Sequence, residues 1–125
     1  NPVVETRKTV HVAVPRIPFE KIARKILGRR YRLSLVTCGD SLARKMNRVY
    51  RKKSYSANVL SFPLAKNEGE LFLNVRAASR EAKKYGVTLR SRLALLFVHA
   101  CLHLKGMRHG QAMNRKEQRF LKMFL

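Results

Sequence analysis

Residues 97–110 read F-V-H-A-C-L-H-L-K-G-M-R-H-G and hold three of the four histidines in the chain, His99, His103 and His109. Their pattern is H-x3-H-x5-H. On a helix, residues four apart share a face, with Cβ atoms about 5–6 Å apart. That gap lets two imidazoles reach one metal ion. Gly106 can adopt positive φ and end the helix, so the chain can turn back and carry His109 toward the pair. Two histidines at i, i+4 would by themselves serve equally well as a polar stripe. The third, placed after a glycine turn, supplies the ligand count of a metal site. Three nitrogen ligands leave one tetrahedral position for water, the open arrangement of a catalytic zinc centre rather than the closed one of a structural centre.

Working outward, Leu93, Leu95, Leu96, Phe97, Val98 and Leu102 are apolar nearly all round. They predict a helix capped at Thr88, running to about Lys105 and central in the fold. Cys101 lies between the two helical histidines but points about 200° from His99, so it reads as a small buried residue rather than a ligand. Neither Cys101 nor Cys38 sits in a C-x-x-C, and two thiols make no disulfide framework. Unpaired thiols fit a reducing, cytoplasmic compartment.

Taken in order, residues 9–14 alternate Val10, Val12 and Val14 and predict a first strand, with His11 on its solvent side. Pro18 opens a helix carrying Phe19, Ile22, Ala23, Ile26 and Leu27, which Gly28 ends. Residues 31–37 alternate again as a second strand. Asp40 or Ser41 then caps a helix with Leu42, Met46, Val49 and Tyr50 on one face and a run of Arg and Lys around it. Residues 58–64 give a third strand, placed at a sheet edge because Pro63 cannot donate to a ladder. A turn over residues 66–69 leads to an antiparallel fourth strand over residues 70–74. A helix follows over residues 76–85, with Ala77, Ala78, Ala82 and Tyr85 as its apolar face. A closing helix over residues 113–125 packs through Phe120, Leu121 and Phe124.

The order β-α-β-α-β-β-α-α-α is a mixed α/β arrangement. It predicts a four-stranded mixed sheet with helices on one face, and a central metal-binding helix of the zincin kind. At 125 residues the expectation is one domain over 1–125.

Charge narrows the partner. Lys and Arg number 28 against 7 Asp and Glu, a net +21 spread along the whole chain. Such a surface attracts polyanions, nucleic acid first. No apolar stretch approaches a transmembrane helix, and the opening residues lack the apolar run of a signal peptide. No membrane partner is expected.

H-A-C-L-H-L-K-G-M-R-H resembles the H-G-x-L-H-L-x-G-Y-D-H signature of the YbeY family of rRNA maturation factors. Asn47-Arg48-Val49-Tyr50-Arg51 with Asn58-Val59-Leu60-Ser61-Phe62-Pro63 resembles that family's N-x-x-Y-R followed by T-D-V-L-S-F-P. Gly69-Glu70-Leu71 is similar to its G-D-I strand, and Met113, Glu117 and Leu121 to its end helix. The resemblance implies a metal-dependent, single-strand-specific endoribonuclease acting in maturation of the 16S rRNA 3′ end and in ribosome quality control. It implies one Zn2+ on His99, His103 and His109, and a functionally important arginine at Arg51. The chain departs from the signature at Ala100, at Met107-Arg108, at Ala57-Asn58 and at Glu70. Two of these changes, at Arg108 and at Asn58, remove acidic groups near the site, and none removes a histidine.

Two residue choices bear on the chemistry. Metalloproteases of the H-E-x-x-H type need a glutamate directly after the first histidine, and this chain has Ala100 there. Arg51 can hold a scissile phosphate, because its planar fork pairs with phosphate oxygens. Asn58 and Ser61 on the edge strand can contact substrate, while Tyr50 and Phe62 are expected in core packing rather than on bases. The partners expected are single-stranded RNA and the ribosomal subunit that carries it. The alternative is a non-catalytic, basic ribosome-assembly protein with a structural metal.

Overall fold

The computed structural model describes residues 2–125. Its elements are β1 (Val4–Lys8), α1 (Phe19–Leu27), β2 (Arg32–Cys38), α2 (Asp40–Arg51), β3 (Val59–Ala65), β4 (Glu68–Asn74), α3 (Val75–Tyr85), α4 (Leu89–Leu104) and α5 (Gln111–Phe124). The sheet order is β1-β2-β4-β3. β1, β2 and β4 are parallel, and β3 returns antiparallel to β4 along the free edge. The mixed four-stranded sheet and the edge position of the Pro63 strand are as the sequence predicts.

Alternation along the strands sends side chains to two cores. Leu33, Leu35, Leu71 and Leu73 point to the face where α1, α3, α4 and α5 pack. Val36, Cys38, Leu60 and Phe72 point to the other face, against Ala43, Leu42 and Met46 of α2. Helices therefore cover both faces rather than the one expected, with α2 alone on the second. Within α2 the buried line runs through Ala43 and Asn47, which leaves Val49 and Tyr50 exposed instead of packed.

Helix α4 is the centre of the larger core. Leu93, Ala94, Leu96, Phe97, Val98, Ala100, Cys101 and Leu102 are all buried. Each large side chain among them contributes about 2 kcal/mol of transfer free energy. Thr88 caps the helix by accepting a hydrogen bond from the Ser91 N–H at 3.0 Å, as expected. Burial pushes the Cys101 thiol upward and that of Cys38 to about 11, so both remain protonated packing groups.

The first strand is displaced from its expected place. Residues 9–14 form no strand; β1 lies just before them. The reason is the partner. Lys8 pairs with Thr37, and Thr9 N–H donates to the Thr37 carbonyl at 2.9 Å. Past that point β2 gives way to Gly39 and α2, and no ladder is left to join. Val10, Val12 and Val14 keep their alternation by packing half-buried on the larger core. The turn before β4 is also tighter than expected. It is Lys66-Asn67 alone, with Glu68 and Gly69 already in the strand. Gly69 is required there, since a Cβ would run into the Tyr31 hydroxyl and lie 3.2 Å from Leu104.

Gly39, not Asp40 or Ser41, occupies the N-cap of α2, with no side-chain cap. The Asp40 carboxylate is used elsewhere. It accepts two hydrogen bonds from Arg80 at 2.8 and 2.9 Å, one from Asn74 at 3.0 Å and one from Ser56 at 3.1 Å. Asn74 in turn caps α3 through the Ala77 N–H. One carboxylate thus ties α2, α3 and the loop before β3 together. Hydrogen bonds from Arg80, then from Asn74 and Ser56, hold its pKa well below the usual carboxylate range despite partial burial. A depressed folded-state pKa gives stability that is present above the unfolded value, about 3.9, and is lost as pH falls through the folded one. Asp40→Asn should therefore lower the melting temperature at pH 7 and reduce the loss of stability below about pH 4, read by thermal unfolding across pH.

Candidate metal centre

His99 and His103 lie one turn apart on α4, and the chain then reverses. Gly106 N–H donates to the His103 carbonyl at 2.9 Å and Met107 N–H to the Leu102 carbonyl at 3.0 Å. These are the two bonds of a Schellman closure. Gly106 has φ 103°, which favours glycine. Met107 packs on the core and anchors the turn. The segment after it brings His109 back over the pair, with ring centroids 5.0 Å from His99 and 4.5 Å from His103. One ligand atom from each of the three rings lies within 4.8 Å of the others.

The hydrogen bonds set the tautomers. His99 Nδ1 faces the Glu117 carboxylate, and His103 Nδ1 lies 3.1 Å from the Met107 carbonyl. Both partners only accept when Glu117 is ionised, so each Nδ1 carries the proton. Each Nε2 is then a lone pair, and the two stand 3.1 Å apart. Two lone pairs at that distance repel unless a cation lies between them. This donor set fits a metal ion. Burial, then the neighbouring His99 and His109 rings, lowers the His103 pKa below the ordinary histidine value. That favours the neutral form a ligand needs.

The three imidazoles open into a cleft of about 820 Å³. Arg51, Asn58 and Ser61 line it too, so the structure brings every sequence-predicted site residue to one place. Their freedom differs. Arg51 is exposed at the last position of α2. The Asn58 amide nitrogen is engaged by Glu81, at 3.1 and 3.3 Å from its two oxygens. Glu81 also accepts from Arg92 Nε at 2.8 Å. Ser61 reaches the cleft from the edge strand.

Several cleft residues were not read from the sequence. In the sequence Glu117 stands out only as part of the end helix, yet in the structure it orients His99. A signal existed: Met113 and Glu117, four apart, are both buried on α5, and an acid on an apolar face needs a partner. Glu81, Arg92 and Tyr55 lie far apart in the chain, and no local pattern joins them. Tyr50, expected in the core, is exposed instead. At the first residue of the Met107-Arg108 departure, the contact to His103 is made by the backbone carbonyl, which does not depend on the side chain. Tyr85 is also exposed rather than packed, with the Arg92 guanidinium 5.0 Å from its ring centre.

The family model described as Endoribonuclease YbeY matches residues 5–124. The chain belongs to the YbeY family. Relatives carrying the family name include one from Mycoplasma mycoides, 34% identical over 78% of this chain and 72% of its own. One from Helicobacter pylori is 35% identical over 86% and 81%. One from Geobacter metallireducens is 33% identical over 81% and 75%. The YbeY-type assignment agrees with the resemblance carried by the histidine signature. Among solved structures, a Thermotoga maritima protein determined in solution superposes with a TM-score of 0.64 over 82% of this chain and 73% of its own. At 22% identity it supports the fold.

If Glu117 orients His99 for a metal, Glu117→Ala should weaken divalent metal binding by about 10–100-fold while the protein stays folded. Glu117→Gln should weaken it less, since its amide oxygen still accepts the Nδ1 proton. Chelator-competition titration with Zn2+ checks both.

Proposed function

We propose that this chain is a metal-dependent endoribonuclease specific for single-stranded RNA, with Zn2+ on His99, His103 and His109 and water completing the shell. Its place would be in ribosomal RNA maturation, at the 16S 3′ end, and in ribosome quality control, on the ribosomal subunit in the cytoplasm. The observation that carries the reading is the convergence of three imidazoles beside Arg51, in one cleft of a chain with net charge +21. Membership of a family described as endoribonuclease supports it. Among the described residues no single helix is long and apolar enough to cross a membrane.

A divalent ion held there would polarise a phosphoryl oxygen and lower the pKa of water toward about 7. The chain's own groups supply the rest. Arg51 pairs its guanidinium fork with two non-bridging oxygens of the scissile phosphate. Ser61 and Asn58 hold the strand from the sheet edge, with Asn58 itself positioned by Glu81. Glu117 and the Met107 carbonyl keep the His99 and His103 tautomers fixed. Peptide hydrolysis is disfavoured because Ala100, buried after His99, stands where a peptidase needs glutamate.

One observation favours the non-catalytic reading, a basic ribosome-assembly protein with a structural metal. Both carboxylates lining the cleft are engaged, Glu81 by Asn58 and Arg92 and Glu117 by His99. His103→Ala separates the readings. The enzyme reading expects a folded protein with cleavage of single-stranded RNA reduced on the order of a hundredfold or more; unchanged cleavage with the metal gone sinks it. Arg51→Ala should lower cleavage without removing the metal. RNA affinity should fall steeply with salt, by about 0.7 in the log–log slope for each phosphate contact; a flat dependence in an anisotropy titration would argue against backbone binding.

A further inference from the structure

Two tyrosine rings stand in water at the cleft. Tyr50 is 64% exposed and Tyr55 is 55% exposed, and both line the cleft that holds the imidazoles. An exposed ring alone signals nothing. Here the Tyr50 ring and the Tyr55 backbone are held in place. The Tyr50 ring rests on Phe62, with centroids 5.4 Å apart, and Phe62 rests on Phe72 at 6.0 Å. Phe72 is buried in the sheet, so Tyr50 is the outermost ring of a series rooted in the smaller core.

Tyr55 is fixed through its backbone. The fully buried Asn47 donates its side-chain N–H to the Tyr55 carbonyl at 2.9 Å. The next residue, Ser56, donates its hydroxyl to Asp40 at 3.1 Å. The helix end leading into this loop is also set. Lys52 takes a left-handed conformation, φ 56°, and the Lys53 N–H donates to the Asn47 carbonyl at 3.2 Å. A side chain other than glycine adopts that conformation against a steric cost. The packed Tyr50 ring and the anchored loop that carries Tyr55 therefore lose less freedom when a ligand arrives.

Charge chooses the ligand. Arg51 directly follows Tyr50, and Arg48, Lys52 and Lys53 are exposed around them. Aromatic faces beside fixed cations suit a chain of bases joined by phosphates. Resting on the RNA reading of the cleft above, we propose that Tyr50 and Tyr55 form a stacking subsite for an unpaired nucleobase next to the phosphate held by Arg51. Bases in a duplex are already stacked on their neighbours and do not present a free face. The subsite therefore selects single strands, which the backbone charge alone does not do.

The test compares two oligomers of equal length: a 2′-O-methyl oligouridylate and an abasic ribose-phosphate chain. Fluorescence anisotropy reads the affinity of the metal-loaded protein for each at fixed salt. Tyr50→Ala and Tyr55→Ala should each weaken the oligouridylate about fivefold or more and leave the abasic chain within about twofold, since it offers nothing to stack. Tyr50→Phe and Tyr55→Phe should bind as the wild type does; the leucine variants, apolar but without a π face, should not. Arg51→Ala should weaken both oligomers alike. Alanine variants that bind the oligouridylate normally, or lose the abasic chain equally, would overturn the subsite, as would full rescue by leucine. If the wild-type protein binds neither oligomer, the RNA reading falls together with the subsite. If it binds both and the tyrosines make no difference, the subsite alone falls.

Discussion

His99 and His103 sit on the most apolar helix of the chain, and each Nδ1 proton there needs an acceptor. A helix buried on nearly all sides offers few. The fold answers with one group from each element that follows. The Schellman turn after α4 turns the Met107 carbonyl onto His103, and α5 brings the Glu117 carboxylate to His99. Both Nε2 atoms are thereby left as lone pairs facing a common point with His109. The turn and the closing helix thus each supply an acceptor to one imidazole at the border between the buried core and the cleft.

The same economy governs the acids. Four of the seven carboxylates, Glu20, Asp40, Glu81 and Glu117, are each engaged by a basic side chain among the described residues. Asp40 joins α2 to α3, Glu81 joins Asn58 to Arg92, and Glu117 holds the His99 ring in one tautomer through a direct hydrogen bond. With 28 Lys and Arg against these few acids, the net charge of +21 still reaches outward. An ion pair open to solvent, such as Glu20–Arg24, adds little to stability; the value of these contacts is in fixing where neighbouring groups point.

The cleft is made by the sheet edge. β3 is the last strand, so one of its sides is free of a ladder partner, and Ser61 and Phe62 reach the cleft from it. α2, on the opposite face from α4, ends at the same edge and delivers Tyr50 and Arg51 there. Elements from both cores meet at one rim only because the sheet stops at β3.

How much of this could be read from the chain itself depends on the range of the interaction. The i, i+4 histidines, the glycine after them, the Thr88 cap and the apolar surround of α4 are local patterns, and each held. So did the edge strand, because proline removes a donor wherever it stands. The first strand failed for a reason outside its own residues. Val10, Val12 and Val14 alternate as a strand should, but pairing needs a neighbour, and β2 has ended by then. The exposure of Tyr50, the Glu117 contact to His99 and the cluster of Asn58, Glu81 and Arg92 are likewise long-range, set by how helices pack across the sheet. Sequence alone therefore determined the histidine triad, the basic character and the order of elements, since spacing and composition suffice for those. Only the tertiary structure decided which side chains share the cleft, because that depends on contacts between segments distant in the chain.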